Sequence, residues 1–530
     1  MHILLRAALA AGTTLAVATP VASAATYAVD TTADPLVPLQ GCTAAANDCS
    51  LRGAITKANA TVATPDTITL PAGTFVLDPT TALPDLTDDT SIIGAGARST
   101  IIDGADGRPT VFAFNAGTAS SSPSALSDLT VRNGGPAPNG ASLVGNGTAG
   151  GTLTVSRVTI TGNRSYALTN FGAGLTVLDS TVSGNTSPLA SGVLNAPNDG
   201  TGILTIRRST IVGNTATSSA GSPVVLASGV LNACTGFISD STIVGNVAGD
   251  ADHSAFGGNL VTLGTVSSGS SGCGIFSTQV RNTILADGQS GGAPQNCGYN
   301  TLIQSVGHNL DTDGSCGFSG PGDLSRVAAG LGALANNGGP TDTMLPASAA
   351  SLVVDAGGGC TATDQRGSAR PQGGACDIGA AESSFTAPPP PAPPAPPTTT
   401  VTTTVTTPAP APVAAQSAPD TTPAKLTLSG LPAKIKRSLL AKGLKVRVSA
   451  NEPVSLDARL LAAPKKITLR ALFSYVLAQA SAPKAAGART VTLKPAKKLA
   501  GTRPVKLQVS VVATDGGGNR TTAVKTITVS

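Results

Sequence analysis

Tryptophan is absent from this chain of 530 residues, and 10 Phe with 4 Tyr bring the aromatics to only 3%. A glycan-binding module built on Trp stacking is thereby excluded. Histidine is nearly missing too: His2, His253 and His308 leave little scope for a His base or a His-rich metal site. Charged residues are 12%, against the ~25% of an ordinary soluble domain. Beyond the leader no apolar run reaches the ~18 residues of a membrane span. Gly (62) and Pro (38) are plentiful. Their share still lies below the ~25–30% of a low-complexity chain. With 41% hydrophobic residues a sizeable core is possible. A coiled coil, a collagen and a wholly disordered chain are excluded, and the length allows two or three domains.

What is present is ordered along the chain. Residues 1–24 read as a secretory signal peptide. Arg6 supplies its positive start, Ala7–Val17 its apolar stretch and Ala22-Ser23-Ala24 its cleavage site. The mature protein is therefore expected to be secreted or held at the cell surface, with no transmembrane segment after cleavage. Cys42, Cys49, Cys234, Cys273, Cys297, Cys316, Cys360 and Cys376 form an even set, which in an exported chain suggests disulfides. Their connectivity is open; nearest neighbours would pair 42 with 49, 234 with 273, 297 with 316 and 360 with 376. Residues 386–423 are a Pro/Thr-rich linker of polyproline II character. It separates a long unit (25–385) from a short one (424–530). Residues 25–424 hold 13 Lys+Arg against 26 Asp+Glu, a net of −13. Residues 425–530 hold 20 against 3, a net of +17.

Inside the long unit one pattern recurs. Leu153–Asn163, Leu175–Asn185, Leu204–Asn214 and Phe237–Asn246 are the clear copies, and Leu126–Asn133 and Val280–Asp287 are degenerate outer ones. Two short runs alternating apolar and polar, joined by a bend and closed by Gly-Asn, read as two strands per coil of a parallel β-helix. The aligned Asn163, Asn185, Asn214 and Asn246 would stack as an amide ladder, with the preceding Gly permitting a left-handed bend. Ser191–Asn195 and Ser228–Asn232 form a second series, read as another face of the same coils. At the bend between the two strands stand Asp128, Arg157, Asp179, Arg208, Asp240 and Arg281, alternating in sign. Such a column is first a surface charge ladder, each pair worth roughly 0–1 kcal/mol. It is also the candidate ligand-contacting site.

Two stretches carry a resemblance. Cys49-Ser-Leu-Arg-Gly-Ala54 resembles the N-terminal Cys-Ser-Leu-Arg-Glu-Ala motif of exported bacterial β-helix proteins, with Gly53 at the Glu position. The segment reads as a short amphipathic helix able to cap the first coil. Thr67–Phe75, Ile92–Gly96 and Thr100–Gly104 look like the opening coils of pectin-lyase-like β-helices. Further on, Gly307-His-Asn-Leu310, Asn336–Thr341, Asp355-Ala-Gly357, Asp364-Gln-Arg-Gly367, Arg370-Pro371 and Cys376–Ala380 with Glu382 resemble the choice-of-anchor Q domain. The resemblance implies an exported or surface right-handed parallel β-helix and no particular reaction. In β-helix polysaccharide lyases carboxylates hold Ca²⁺ and an arginine is the base. A lyase-like role would accordingly use Asp128, Asp179 and Asp240 with Arg208 as base, and Ca²⁺ as cofactor. Asp364, Arg366 and Arg370 read instead as a satisfied buried network.

The last unit alternates as strands with Asp515–Asn519 as a turn, and looks like an Ig-like β-sandwich with one basic face. Asp311-Thr-Asp-Gly314 and Asp250-Ala-Asp252-His253 offer oxygens for Ca²⁺ but lack the spacing of a calcium loop, and turns explain them. No catalytic, cofactor or metal residue is assigned. The expected function is a non-catalytic adhesin or structural stalk binding an anionic cell-wall polymer or glycan. Nucleic acid is not expected as a partner, because the chain is exported and has few aromatics. The alternative is a lyase or hydrolase of acidic polysaccharide. The oligomeric state is open.

Overall fold

The computed structural model describes residues 24–61, 65–87, 89–107, 110–115, 123–136, 142–147, 150–187, 192–197, 202–217, 224–225, 227–249, 254–263, 277–298, 302–386, 424–462, 476–495, 504–514 and 520–530. The leader before Ala24, Ser191, the Asp250–His253 group, Cys273, the turn 515–519 and all of the linker after Thr386 lie outside them.

Apolar side chains two residues apart, repeated once per coil, make a right-handed parallel β-helix. Its first and second sheets each have ten strands and its third has seven. The copy at residues 152–163 shows the coil. Thr152–Ser156 pairs in parallel with Pro123–Ser127 on one side and Gly174–Leu178 on the other. After a two-residue corner, Arg157-Val158, Thr159–Thr161 joins the second sheet between Thr130–Arg132 and Thr181–Ser183. After Gly162-Asn163, Tyr166–Asn170 joins the third sheet. Register stacks Val155, Val177, Ile206, Ile238 and Val280 on one inner wall, and Ile160, Val182, Ile211, Ile243 and Leu285 on the next. All are at most 1% exposed. Each such side chain contributes roughly 1.5–3 kcal/mol by leaving water.

Buried asparagines fix the two remaining corners. Asn163 donates its amide to Asn185 (2.8 Å), Asn185 to Asn214 (2.9 Å) and Asn214 to Asn246 (2.9 Å). The ladder then runs on through Asn259 (2.8 Å) to Asn296 (2.7 Å). Those two residues come from outside the repeated motif. Where the degenerate copy Val280–Asp287 has Gly288 in place of Asn, a Cβ would stand 2.8 Å from both Asn259 and Asn296. The glycine is what admits the substitute amides. A second ladder joins Asn115, Asn146, Asn170, Asn195 and Asn232 at 2.7 Å per step.

The helix Leu51–Ala58 starts at Ser50, whose hydroxyl accepts from the N–H of Gly53 (3.1 Å), and it closes the first coils. A Cβ on Gly53 would lie 1.8 Å from the Leu39 carbonyl oxygen, so no Glu fits where the related motif has one. Arg52 is buried against Asp34, with its Nε 2.8 Å and Nη2 2.7 Å from the carboxylate. Disulfides join Cys42 to Cys49, Cys297 to Cys316 and Cys360 to Cys376. Cys234 is also disulfide-bonded.

The region with the anchor-domain resemblance does not simply close the far end. Residues 327–383 fold back as a strap along the outside of the second sheet. Thr181 donates to the Asp342 carbonyl (2.6 Å), Thr210 to Gln365 (2.7 Å), and Ala380 N–H to Thr242 (2.9 Å). Arg98, several coils nearer the N-terminus, pairs with Asp342 at 2.7 Å. Val244, Ile284 and Ala286 point outward from the sheet and are covered by Ala329, Val353 and Ile378. The strap ends near residue 383 on the flank of the helix, where Ser383 N–H donates to Asp377 (2.7 Å).

The described residues between 424 and 530 form an Ig-like sandwich. Leu426–Ser429, Leu444–Ala450 and Arg489–Leu493 make an antiparallel three-stranded sheet. Lys434–Ile435, Arg520–Val529, Val505–Thr514, Val454–Ala462 and Val476–Ala485 make a five-stranded one. Lys434–Ile435 runs parallel to the last strand, so the first segment divides between the two sheets. Val446, Val448, Leu456, Val509 and Ile527 are among the residues of the shared core.

Candidate functional site

The charged column occupies the corner between the first and second sheets. Asp128, Arg157, Asp179, Arg208 and Asp240 each hold the left-handed backbone conformation there, with φ between 46° and 59°. Non-glycine residues rarely adopt it, and the flanking strands impose it. Coil stacking then brings each arginine over the aspartate of the preceding coil. Arg157 forks onto Asp128 with Nε–Oδ1 and Nη2–Oδ2 both 2.6 Å. Arg208 forks onto Asp179 at 2.6 and 2.9 Å. These bidentate bonds hold both guanidiniums above the ordinary arginine range, against the opposing effect of burial.

The sixth expected member is misplaced by one residue. Arg281 pairs in register with Ser239, and Asn282 (φ 45°) takes the corner, followed one coil later by His308 (φ 57°). In the other copies the corner residue stands two before a Thr, as in Asp179-Ser-Thr181, Arg208-Ser-Thr210 and Asp240-Ser-Thr242; here the triplet is Asn282-Thr-Ile284, which hides the shift. Arg281 instead reaches the strap, its Nη2 donating to the carbonyls of Gly358 (2.6 Å) and Gly359 (2.5 Å). Asn282 exchanges bonds with Gly358 (3.0 Å each way), and His308 Nδ1 lies 2.9 Å from the Ala356 carbonyl.

Exposure falls steeply along the column. Arg157 is 45% exposed, Arg208 and Asp179 are each 18%, and Asp240 is 5%. Asp240 is met by Arg370 of the strap at 3.7 Å, and Arg370 also faces Glu382 at 3.4 Å. Glu382 is pushed up by burial although the N–H groups of Asp377 (3.0 Å) and Gln372 (2.9 Å) donate to it. Asp364 and Arg366 pair at 2.7 Å, and Arg366 bonds on to the Asn337 carbonyl (3.1 Å). Asp364, Arg366 and Arg370 thus tie the strap to itself and to the corner. Thr181, Thr210 and Thr242 form the adjacent outer row, at most 1% exposed beneath the strap.

Asp311 and Asp313 lie at the end of the first amide ladder. Asn296 Nδ2 donates to Asp311 (2.8 Å) and Asp313 (3.2 Å), and Cys316 N–H donates to Asp311 (2.8 Å). Burial, together with the facing Asp313, pushes Asp311 up to about 7. For Asp313 burial is outweighed by bonds from Asp311, Ser315 and Asn296, which hold it below the ordinary range. Among the described residues no group of three or more His, Cys, Asp or Glu is placed to hold a metal ion. No described helix is long and apolar enough to cross a membrane.

The sandwich differs. Lys425, Lys434, Lys436, Lys442, Lys445, Arg447, Lys494, Lys506 and Lys525 are exposed. None forms an ion pair among the described residues.

No family model and no curated protein matches the chain. Among solved structures the crystal structure of pectate lyase Pel9A is similar, with 15% sequence identity and a TM-score of 0.34, covering 68% of this chain and 97% of that one.

Proposed function

We propose that this chain is an exported, non-catalytic β-helix protein held to an anionic envelope polymer or extracellular glycan by its basic sandwich. The observation that supports it is the contrast in available charge. On the β-helix the acids and arginines of the corner are engaged with each other or with the strap. On the sandwich the nine exposed cations named above form no ion pair among the described residues. The disulfides suit an oxidising compartment. Resemblance of the strap to the choice-of-anchor Q domain suits a surface location as well.

A lyase reading needs a base and free carboxylates. Arg208 is held protonated by Asp179, the reverse of what a base requires. Asp240 is enclosed by Arg370 and Asn282.

The test is sedimentation of the full chain with isolated bacterial cell wall across a salt series. The expected result is binding that weakens steadily with salt. Absence of binding, or binding indifferent to salt, would sink the proposal. In parallel, incubation with polygalacturonate and Ca²⁺ should release no unsaturated product. A rise that disappears in Arg208→Ala would install the lyase reading instead.

A further inference from the structure

We infer that the outer face of the sandwich's three-stranded sheet is a comb for a linear polyol-phosphate polymer, engaged through Lys445, Arg447 and Lys494. The inference rests on the attachment proposed above and names the chemistry of its partner.

Strand alternation builds the comb. Leu444, Val446 and Val448 enter the core, leaving Lys445, Arg447 and Ser449 exposed on the central strand. Lys445 pairs in register with Thr492, and Arg447 with Thr490 on one side and Ser429 on the other. Lys494 continues the outward alternation past Leu493. Its Cβ lies 3.8 Å from where Gly443 would carry one, which puts it one step before Lys445. Residues two apart on a strand are separated by roughly 6.6–6.8 Å, which is the interval from Lys445 to Arg447; Lys494 stands one such step further on, displaced sideways by one strand spacing of about 4.8 Å.

Phosphates joined through a three-carbon polyol are six backbone bonds apart. A three-bond unit extends to about 3.3–3.6 Å, so successive phosphates fall roughly 7 Å apart when the polymer is drawn out. The Lys445–Arg447 interval matches this spacing, and the long Lys494 side chain reaches the next phosphate across one strand. Hydroxyls of Ser429, Thr490 and Thr492 flank the cations and are suited to phosphate oxygens. The Arg447 fork matches a phosphate bidentately. None of these residues is aromatic, so the comb offers no platform for stacking a nucleobase, the feature that single-stranded nucleic acid readers use.

The experiment measures binding of the full chain to purified poly(glycerol phosphate), polygalacturonate and oligothymidylate across a salt series. The glycerol phosphate polymer should bind tightest. Combined Lys445→Ser, Arg447→Ser and Lys494→Ser substitutions should weaken it roughly 100-fold, at about fivefold per cation. The salt slope should fall by about 2. Lys434→Ser with Lys506→Ser, which flank Thr528 on the other sheet, should cost less than about threefold. The charge-preserving pair Lys445→Arg and Lys494→Arg should retain binding, which separates lost charge from lost folding. Equal losses in the two serine sets, or equal affinity for polygalacturonate or oligothymidylate, would overturn the comb while leaving charge-driven attachment standing. No salt-sensitive binding to any polymer would overturn both.

Discussion

The β-helix and the sandwich are both all-β, yet they treat charge in opposite ways. In the β-helix the sequence repeats once per coil, so any ionisable residue in the motif is stacked directly on its own kind. Alternating Asp and Arg removes that repulsion, and the pairs so formed are progressively enclosed as the strap arrives. In the sandwich each strand is distinct, and the exposed lysines and Arg447 form no ion pair among the described residues. The comparison teaches that net charge alone is a poor guide to where a binding surface lies. The acidic β-helix has the more elaborate charge geometry, but the +17 unit has the charge available.

The comparison can be broken most severely at Arg370. It is 1% exposed between Asp240 and Glu382 and donates to the Gly379 carbonyl at 2.8 Å. Arg370→Met should destabilise the β-helix by about 3–5 kcal/mol, because two buried carboxylates lose their cation. Calorimetry of the full chain should show the β-helix transition falling and the sandwich transition unmoved. A cost under about 1 kcal/mol would mean that the enclosed charges are not structural.

Next in size is Asn214→Ala. Asn214 accepts from the backbone (3.1 Å) and side chain (2.9 Å) of Asn185, and donates to Val182 O (3.1 Å) and Asn246 (2.9 Å). Leaving these buried groups unmatched should cost about 2–3 kcal/mol in denaturant unfolding. A loss confined to a few tenths would show that the ladder is dispensable.

A pH series sharpens the contrast further. Asp311 titrates at about 7 in the folded chain, above its ordinary value, so folding keeps its proton. The stability this confers is complete below the ordinary carboxylate range and is lost as pH rises to about 7. Asp313, held low, contributes in the opposite sense at the acid end. Asp311→Asn should flatten the decline between about pH 4 and pH 7. An unchanged profile would place the proton elsewhere.

The smallest effect is expected at Arg157, 45% exposed. Arg157→Ala should cost no more than about 1 kcal/mol, and less at high salt. A larger, salt-insensitive loss would make the outer end of the column as structural as the inner.

Much of this architecture can be read from the residues. The repeated Gly-Asn, with Gly162, Gly184, Gly213 and Gly245 all left-handed, marks the corners and the ladder Asn163–Asn185–Asn214–Asn246. Near-neighbour cysteines pair as spacing suggests at 42–49, 297–316 and 360–376. Three features escape such reading for physical reasons. Asn259 and Asn296 join the ladder from non-repeated segments, so no local periodicity announces them. Arg281 slips from the corner because only strand pairing fixes its register. The strap is irregular backbone whose position depends on contacts such as Gln365 with Thr210 and Arg98 with Asp342, far apart in sequence.

The most direct test compares envelope binding of two full-length variants at low salt, one carrying Arg157→Met and Arg208→Met, the other Lys445→Ser and Arg447→Ser. The first should bind like the parent while melting earlier. The second should lose binding while melting like the parent. Loss of binding in the arginine pair of the β-helix, with retention in the sandwich pair, would contradict the account.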